Sequence, residues 1–517
     1  MKVVIKSWMM ALLAVSVLFS CTKTEMLPPP EQNHEHGQEP EEQKSVHFDF
    51  SVQVDGETYF PMDTTGEHLS VFVPYGTDLT QMKPLFNDKD FAVTVDGETQ
   101  ISGVTVRSFK SYKKGTVYKL VSTATGQERT YTVRVLDTKL PVVSVTTATP
   151  EEIADKETWR PAVIRVRYED GHIQEMGATG IRGRGNWTWE KYPKKPYALK
   201  LEQKQEFLGM PAHKRWILLA QYRGFIGNPL AFEATRRAPA LGWAPRGRFV
   251  ELVLNGQFQG LYYLCEQIKI GKDRVSIAKM KTKDNQYPAY SGGYLLEYDE
   301  LYDEQFKFMS ERFNLPVQIK DPNDTLLDVQ FGYIRDFIND MEAELRKIGT
   351  GQESHYGDYL DIDSFADYWM ALEIVGNYEA WKPRSVKMYK GRDGIDSPPG
   401  TVCKLKAGPL WDQELFQVDL AFNSKNMYYF KYLFRDPVFV ATVKERWPAY
   451  KSNLLGNEAY QGFVEYLEEM ADLIKSSARR DLTYWGNSYF SLPGESSAVR
   501  FGFKDKVEWM DQEINKL

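Results

Sequence analysis

The run from Trp8 to Phe19 is apolar almost without a break; it sits behind Lys2 and Lys6 and ends in Leu18-Phe19-Ser20-Cys21. It is shorter than the roughly 20 apolar residues a spanning helix needs, so it predicts a signal peptide over residues 1–20. From Thr22 to Lys44 apolar positions become rare while Pro28-Pro29-Pro30 and a run of Glu, Gln and His take their place. Residues 21–45 are therefore expected to be a solvated tether. From Val46 to about residue 138 the pattern alternates with period two, in Val52-Gln53-Val54, Val71 and Val73, Val93-Thr94-Val95, and Tyr131, Val133 and Val135. Asp55-Gly56 and Asp96-Gly97 stand where tight hairpins need positive φ, and the stretch predicts a small all-β immunoglobulin-like sandwich.

Beyond Pro141 the pattern is mixed. Strands are expected at Ala162–Tyr168, Tyr197–Leu201 and Trp216–Leu219, and Arg248–Leu254 and Phe258–Ile268 flank the hairpin signal Asn255-Gly256. Helical spacing takes over after about residue 325. Phe331, Ile334, Ile338, Met341 and Leu345 form one stripe over 328–347, and a second helix over 363–375 stops at Gly376. Asn228-Pro229 reads as an N-cap and first-turn pair, and several helices are expected from Asp436 onward. The fold class is α+β: a β-rich lobe over about 139–300 and a helical lobe over about 301–517, with a cleft between them.

Composition narrows the function classes. The net charge is −7 and no basic tail or stripe offsets it, so the chain is not a general nucleic-acid binder. Apart from Cys21, only Cys265 and Cys403 are present, far apart, and no disulfide framework is implied. Leu18 to Cys21 resembles a lipobox, which makes Cys21 the expected lipidation site. The chain is then lipid-anchored to a bacterial membrane, the outer membrane since Thr22 is not aspartate, with its soluble domains in the periplasm or at the cell surface. The β-domain, which has no cluster of titratable residues, is expected to hold the rest off the membrane.

Several segments offer chemistry. Gly180-Ile181-Arg182-Gly183-Arg184-Gly185-Asn186 can turn backbone amides and two arginines toward an anion, or can be a simple turn. Lys191, Lys194, Lys195 and Lys200 follow, any of which can reach a phosphate or face solvent. Glu233 can orient a cleft lysine or pair with Arg236 or Arg237 on its own helix. Glu266 ends a hairpin strand. Last come Asn377-Tyr378-Glu379 and Gly408-Pro409-Leu410-Trp411-Asp412-Gln413-Glu414, whose carboxylates are the oxygen ligands hard divalent cations prefer. No Gly-x-Ser-x-Gly elbow or His-Glu-x-x-His helix is present, which leaves a hydrolase with little support.

From about residue 141 to 450 these motifs, together with Tyr192 to Tyr197, Leu208-Gly209-Met210, Arg248 to Leu252 and Gly292 to Glu297, resemble the CotH kinase family. The resemblance implies a two-lobed atypical protein-kinase-like domain over 139–517. It implies binding of ATP with Mg²⁺ or Mn²⁺ and transfer of the γ-phosphoryl group to serine or threonine of secreted or surface proteins. Carried over by motif, the nucleotide-binding residues are Arg182, Lys200 with Glu233 as its partner, and Glu266 near the adenine. The catalytic residues are Glu379 and Asp412, and the metal ligands Asp412 and Glu414. The family pattern has Asn-x-Asp and Trp-Asp-x-Asp where this chain has Glu379 and Glu414, each one methylene longer. That departure supports an alternative on the same fold: a degenerate kinase that binds a protein or surface glycan.

Overall fold

A computed structural model describes residues 47–517 apart from Tyr378 and the side chain of Glu379. The signal peptide, the tether and Cys21 lie outside the described residues. The chain opens with a hairpin, β1 (Val52–Val54) and β2 (Glu57–Tyr59). A five-stranded sheet follows, of β3 (His68–Pro74), β4 (Phe91–Val95), β5 (Glu98–Thr99), β6 (Thr116–Ser122) and β7 (Glu128–Thr138), in the order β3-β7-β6-β4-β5. Both Asp-Gly pairs make the expected turns, with φ of +50° and +88° at Asp55-Gly56 and +51° and +81° at Asp96-Gly97.

Only three residues separate β7 from a closed seven-stranded barrel. Its strands are β8 (Val142–Thr147), β9 (Arg160–Arg167), β10 (Ile173–Gly183), β11 (Tyr197–Phe207), β12 (Met210–Leu219), β13 (Gly247–Leu254) and β14 (Gln257–Glu266). They close in the order β10-β11-β12-β14-β13-β8-β9, with β8 running parallel to β13. Alternate side chains fill the interior, among them Leu199, Leu201, Trp216, Leu218, Tyr262 and Leu264. Their neighbours Ile217, Leu219, Leu261 and Tyr263 point outward into a second, larger core. Burial of each such large side chain contributes about 1.5–3 kcal/mol.

That larger core is shared with a second five-stranded sheet and the helices. The sheet comprises β15 (Tyr294–Tyr298), β16 (Lys307–Met309), β17 (Pro316–Asp321), β18 (Val386–Lys390) and β19 (Leu405–Ala407), in the order β16-β17-β15-β18-β19. Short α1 (Trp187–Lys191) and α2 (Gly227–Arg236) interrupt the barrel. Next come α3 (Asp328–Lys347) and α4 (Ile362–Val375), then α5 (Phe430–Leu433), α6 (Pro437–Leu455), α7 (Phe463–Trp485) and α8 (Leu492–Asn515). The expected stripe of α3 is buried at Ile334, Ile338, Met341 and Leu345. Gly376 ends α4 in the left-handed region, φ +64°, and Asp436 caps α6.

The N-terminal β-unit packs directly on the barrel. Met62, Phe72 and Leu136 share one apolar cluster with Val142, Val253 and Phe258 of the barrel. The Ser70 hydroxyl donates to Gly256 O at 2.7 Å, and that of Thr146 to Asp63 Oδ2 at 2.6 Å. Gly256, at φ +74°, is required there: a Cβ on it would lie 2.0 Å from His68 O. Residues 47–517 accordingly form one compact unit.

Candidate active site

A cleft of about 1100 Å³ lies between the outer face of the barrel, the second sheet and the loop that follows β19. The glycine-rich segment at the end of β10 forms one wall. Gly183 is needed for close approach, since a Cβ there would meet the Trp189 ring at 2.5 Å, and Gly185 turns the chain at φ +81°. Arg182 lines the cleft, donates to Lys156 O, lies 3.6 Å from Glu157 and stacks 4.8 Å from the Trp159 ring. Its Nε is buried without a hydrogen-bond partner. The Arg184 guanidinium lies 5.8 Å over Trp411, so the glycine segment faces the Trp-Asp motif directly.

The opposite wall carries the acidic loop. Buried Gln413 fixes it: its backbone N–H donates to Asn228 Oδ1 at 3.0 Å, and its amide to Val375 O at 3.1 Å and to Leu415 O. Asp412 and Glu414, on either side, both line the cleft. Asp412 sits at φ +63° and accepts from the Ser385 hydroxyl at 3.2 Å; Ser385 is itself at φ +54°. Glu414 lies 3.3 Å from Arg223. The loop packs so tightly on the start of α2 that a Cβ on Gly227 would fall 2.4 Å from Gln413 O. Asn228 is not an N-cap. The helix begins two residues earlier, at Gly227 behind Ile226, and the Asn228 side chain is given to the acidic loop instead. The backbone of Glu379 lies in a single 3-10 turn over Glu379–Trp381, and its side chain is outside the described residues.

Three sequence-predicted residues fall elsewhere. Lys200 is exposed and outside the cleft lining, its Nζ 6.0 Å from the Trp159 ring. It shares a strand face with Ala198, which does line the cleft, but two residues farther along, about 6.6 Å. Glu233 has no lysine partner; it pairs with Arg236 at 2.6 Å and Arg237 at 2.9 Å. Burial alone would raise its carboxyl, but the two guanidinium groups outweigh that and hold it low. Glu266 is fully buried and consumed by Arg246, whose backbone N–H and guanidinium both donate to it at 2.9 Å.

The second sheet supplies groups to which the sequence reading gave no site role. Glu297 on β15 is flanked by Lys387 on β18 and by Lys320 on β17, the latter at 2.9 Å, and all three line the cleft. Burial would raise the Glu297 carboxyl, yet the lysine charges prevail and hold it at about 2. Asp299, just past β15, accepts from the backbone N–H groups of Leu301 and Ser385, each at 2.9 Å. Among the described residues of the lining, eight lysines and arginines are matched by eight aspartates and glutamates.

A family model for the CotH kinase protein matches residues 181–516, from the glycine segment to the end of α8. The chain belongs to the CotH kinase protein family. The matched region contains the whole acidic loop and most of the cleft lining, whereas Lys156 and Glu157 of the lining, the N-terminal sheet and the first barrel strands precede it. No curated protein matches the chain. Among solved structures it is similar to a protein from Bacteroides thetaiotaomicron provisionally assigned as a glycoside hydrolase, at 18% identity and a TM-score of 0.18. That similarity covers 35% of this chain and 54% of the other, so the chain spans about half the length of that relative. It carries no argument about the CotH cleft.

Proposed function

We propose that this CotH family member is an exported, lipid-anchored enzyme that transfers the γ-phosphoryl group of ATP to serine or threonine hydroxyls of secreted or surface proteins. The observation that carries the reading is the opposition, across one cleft, of the carboxylates Asp412 and Glu414 and the arginines Arg182 and Arg184. In this reading the barrel and the helical part are the two lobes of a kinase-like domain, the N-terminal sheet is an immunoglobulin-like module, and Cys21 bears the lipid.

The donor chemistry suits the cofactor. Magnesium is commonly bound by one or two carboxylates, with phosphate and water oxygens completing its shell, and Asp412 and Glu414 are two such groups. Arg182 and Arg184 bring two guanidinium groups, the usual donors to phosphate oxygens, to the same cleft. Bound ATP with Mg²⁺ or Mn²⁺ supplies the phosphoryl group and neutralises its charge. The chain's own residues do the rest: Asp412 and Glu414 hold the cation, Arg182 and Arg184 orient the phosphates, and Glu379 orients the acceptor hydroxyl and takes its proton.

The test is incubation of the chain from residue 46 onward with labelled ATP and Mg²⁺ or Mn²⁺, beside Asp412→Ala. Labelling of a protein acceptor that the variant loses is expected. Absence of nucleotide binding by the wild type in calorimetry would remove the kinase reading and leave a binding module for protein or surface glycan. One observation favours that second reading: Glu414, longer than the aspartate of the family pattern, lies against Arg223.

A further inference from the structure

Three residues other than glycine that line the cleft adopt left-handed backbone conformations, Gln221, Ser385 and Asp412, and the last two touch each other. Such conformations cost of order 1–3 kcal/mol each and persist only where surroundings enforce them. The enforcement is visible. Tyr298 and Val386 are the last paired residues of β15 and β18, so Asp299 and Ser385 leave the sheet side by side. Glu300 N–H donates to Pro383 O at 2.8 Å, and Arg384 pairs with Glu300, which ties the two departing strands together. Asp299, only 6% exposed, then spends one carboxylate oxygen on Leu301 N–H and the other on Ser385 N–H.

We propose that Asp299 and Ser385 form a positioning relay: Asp299 holds the Ser385 backbone so that its hydroxyl clamps Oδ2 of Asp412. Oδ1 is then left to face the cleft. The relay rests on the reading of Asp412 as a cation ligand given above and adds to it that Asp299, though a cleft carboxylate, is a positioning residue and not a third ligand. A carboxylate with one oxygen fixed presents a preorganised ligand, whereas a free one must be ordered on binding.

Serine to glycine separates the hydroxyl from the strain, because glycine adopts φ +54° without cost. The experiment titrates the full chain, purified in detergent, with Mn²⁺ in the presence of ATP, and reads free Mn²⁺ by electron paramagnetic resonance. Ser385→Gly is expected to melt no lower than wild type yet to bind Mn²⁺ about tenfold more weakly, the scale of a lost hydrogen bond to a charged group. Asp299→Asn is expected to weaken it similarly, and the double variant no further than either single. Mn²⁺ binding by Ser385→Gly as tight as by wild type, or a double variant whose loss is the product of the two singles, overturns the relay while the cation reading stands. Wild type that binds no Mn²⁺ overturns both.

Discussion

Glu495, in the first turn of α8, offers a quantitative test of how the C-terminal helix supports the cleft. Its Oε2 accepts from Phe225 N–H at 2.9 Å, while Oε1 is buried without a partner. The segment it holds, Arg223 to Gly227, lies against the acidic loop, where a Cβ on Gly224 would be 2.7 Å from Glu414 O. Burial pushes the Glu495 carboxyl up to about 7, against an ordinary 4.5. The folded state therefore holds a proton that the unfolded state releases, so the stabilisation is complete below about pH 4.5 and is lost as pH rises to about 7. The ionised form costs up to about 3 kcal/mol. At about 2 cal/mol/K of unfolding entropy per residue, a unit of this size shifts by about 1 °C per kcal/mol. Glu495→Gln should match wild type in calorimetric Tm at pH 5 and exceed it by about 3 °C at pH 8. A gap between the two proteins that is the same at both pH values would refute the argument.

Other perturbations probe other joints of the molecule. Gly256→Ala places a Cβ against His68 O at positive φ and should cost at least about 2 kcal/mol, read as a lower Tm and faster proteolysis of the N-terminal β-unit. Arg480→Ala leaves the fully buried Glu251 carboxylate without its cation and should cost about 3–5 kcal/mol by chemical denaturation. Asp412→Ala should abolish transfer of label from ATP while lowering Tm by no more than about 1 °C, because Gln413 anchors the loop independently of it.

Features written in local chemistry were legible in the sequence. The Asp55-Gly56, Asp96-Gly97 and Asn255-Gly256 turns, the bounds of α3 and the stop at Gly376 all depend on residues within a few positions of one another. Local competition also decided Glu233, whose arginines three and four residues away needed no long-range closure. Barrel closure was not legible, because it pairs β8 in parallel with β13, about a hundred residues later, and because strands apolar on both faces lose their alternation. Lys200 was misplaced by a distance that periodicity cannot measure: the strand face was right, but the cleft ends before it. Asp299 and Ser385 lie 86 residues apart, and only the meeting of β15 with β18 makes them a pair.

The even balance of charge around the cleft has a kinetic meaning. With eight cations opposed by eight anions among the described lining residues, and a net charge of −7 on the chain, little long-range field would draw the proposed polyanionic nucleotide inward. Its association rate should then change little with ionic strength, and occupancy should follow the ligand concentration at the mouth rather than electrostatic capture. With ATP as the proposed ligand, such a site would report how much nucleotide is nearby and would not scavenge what little there is.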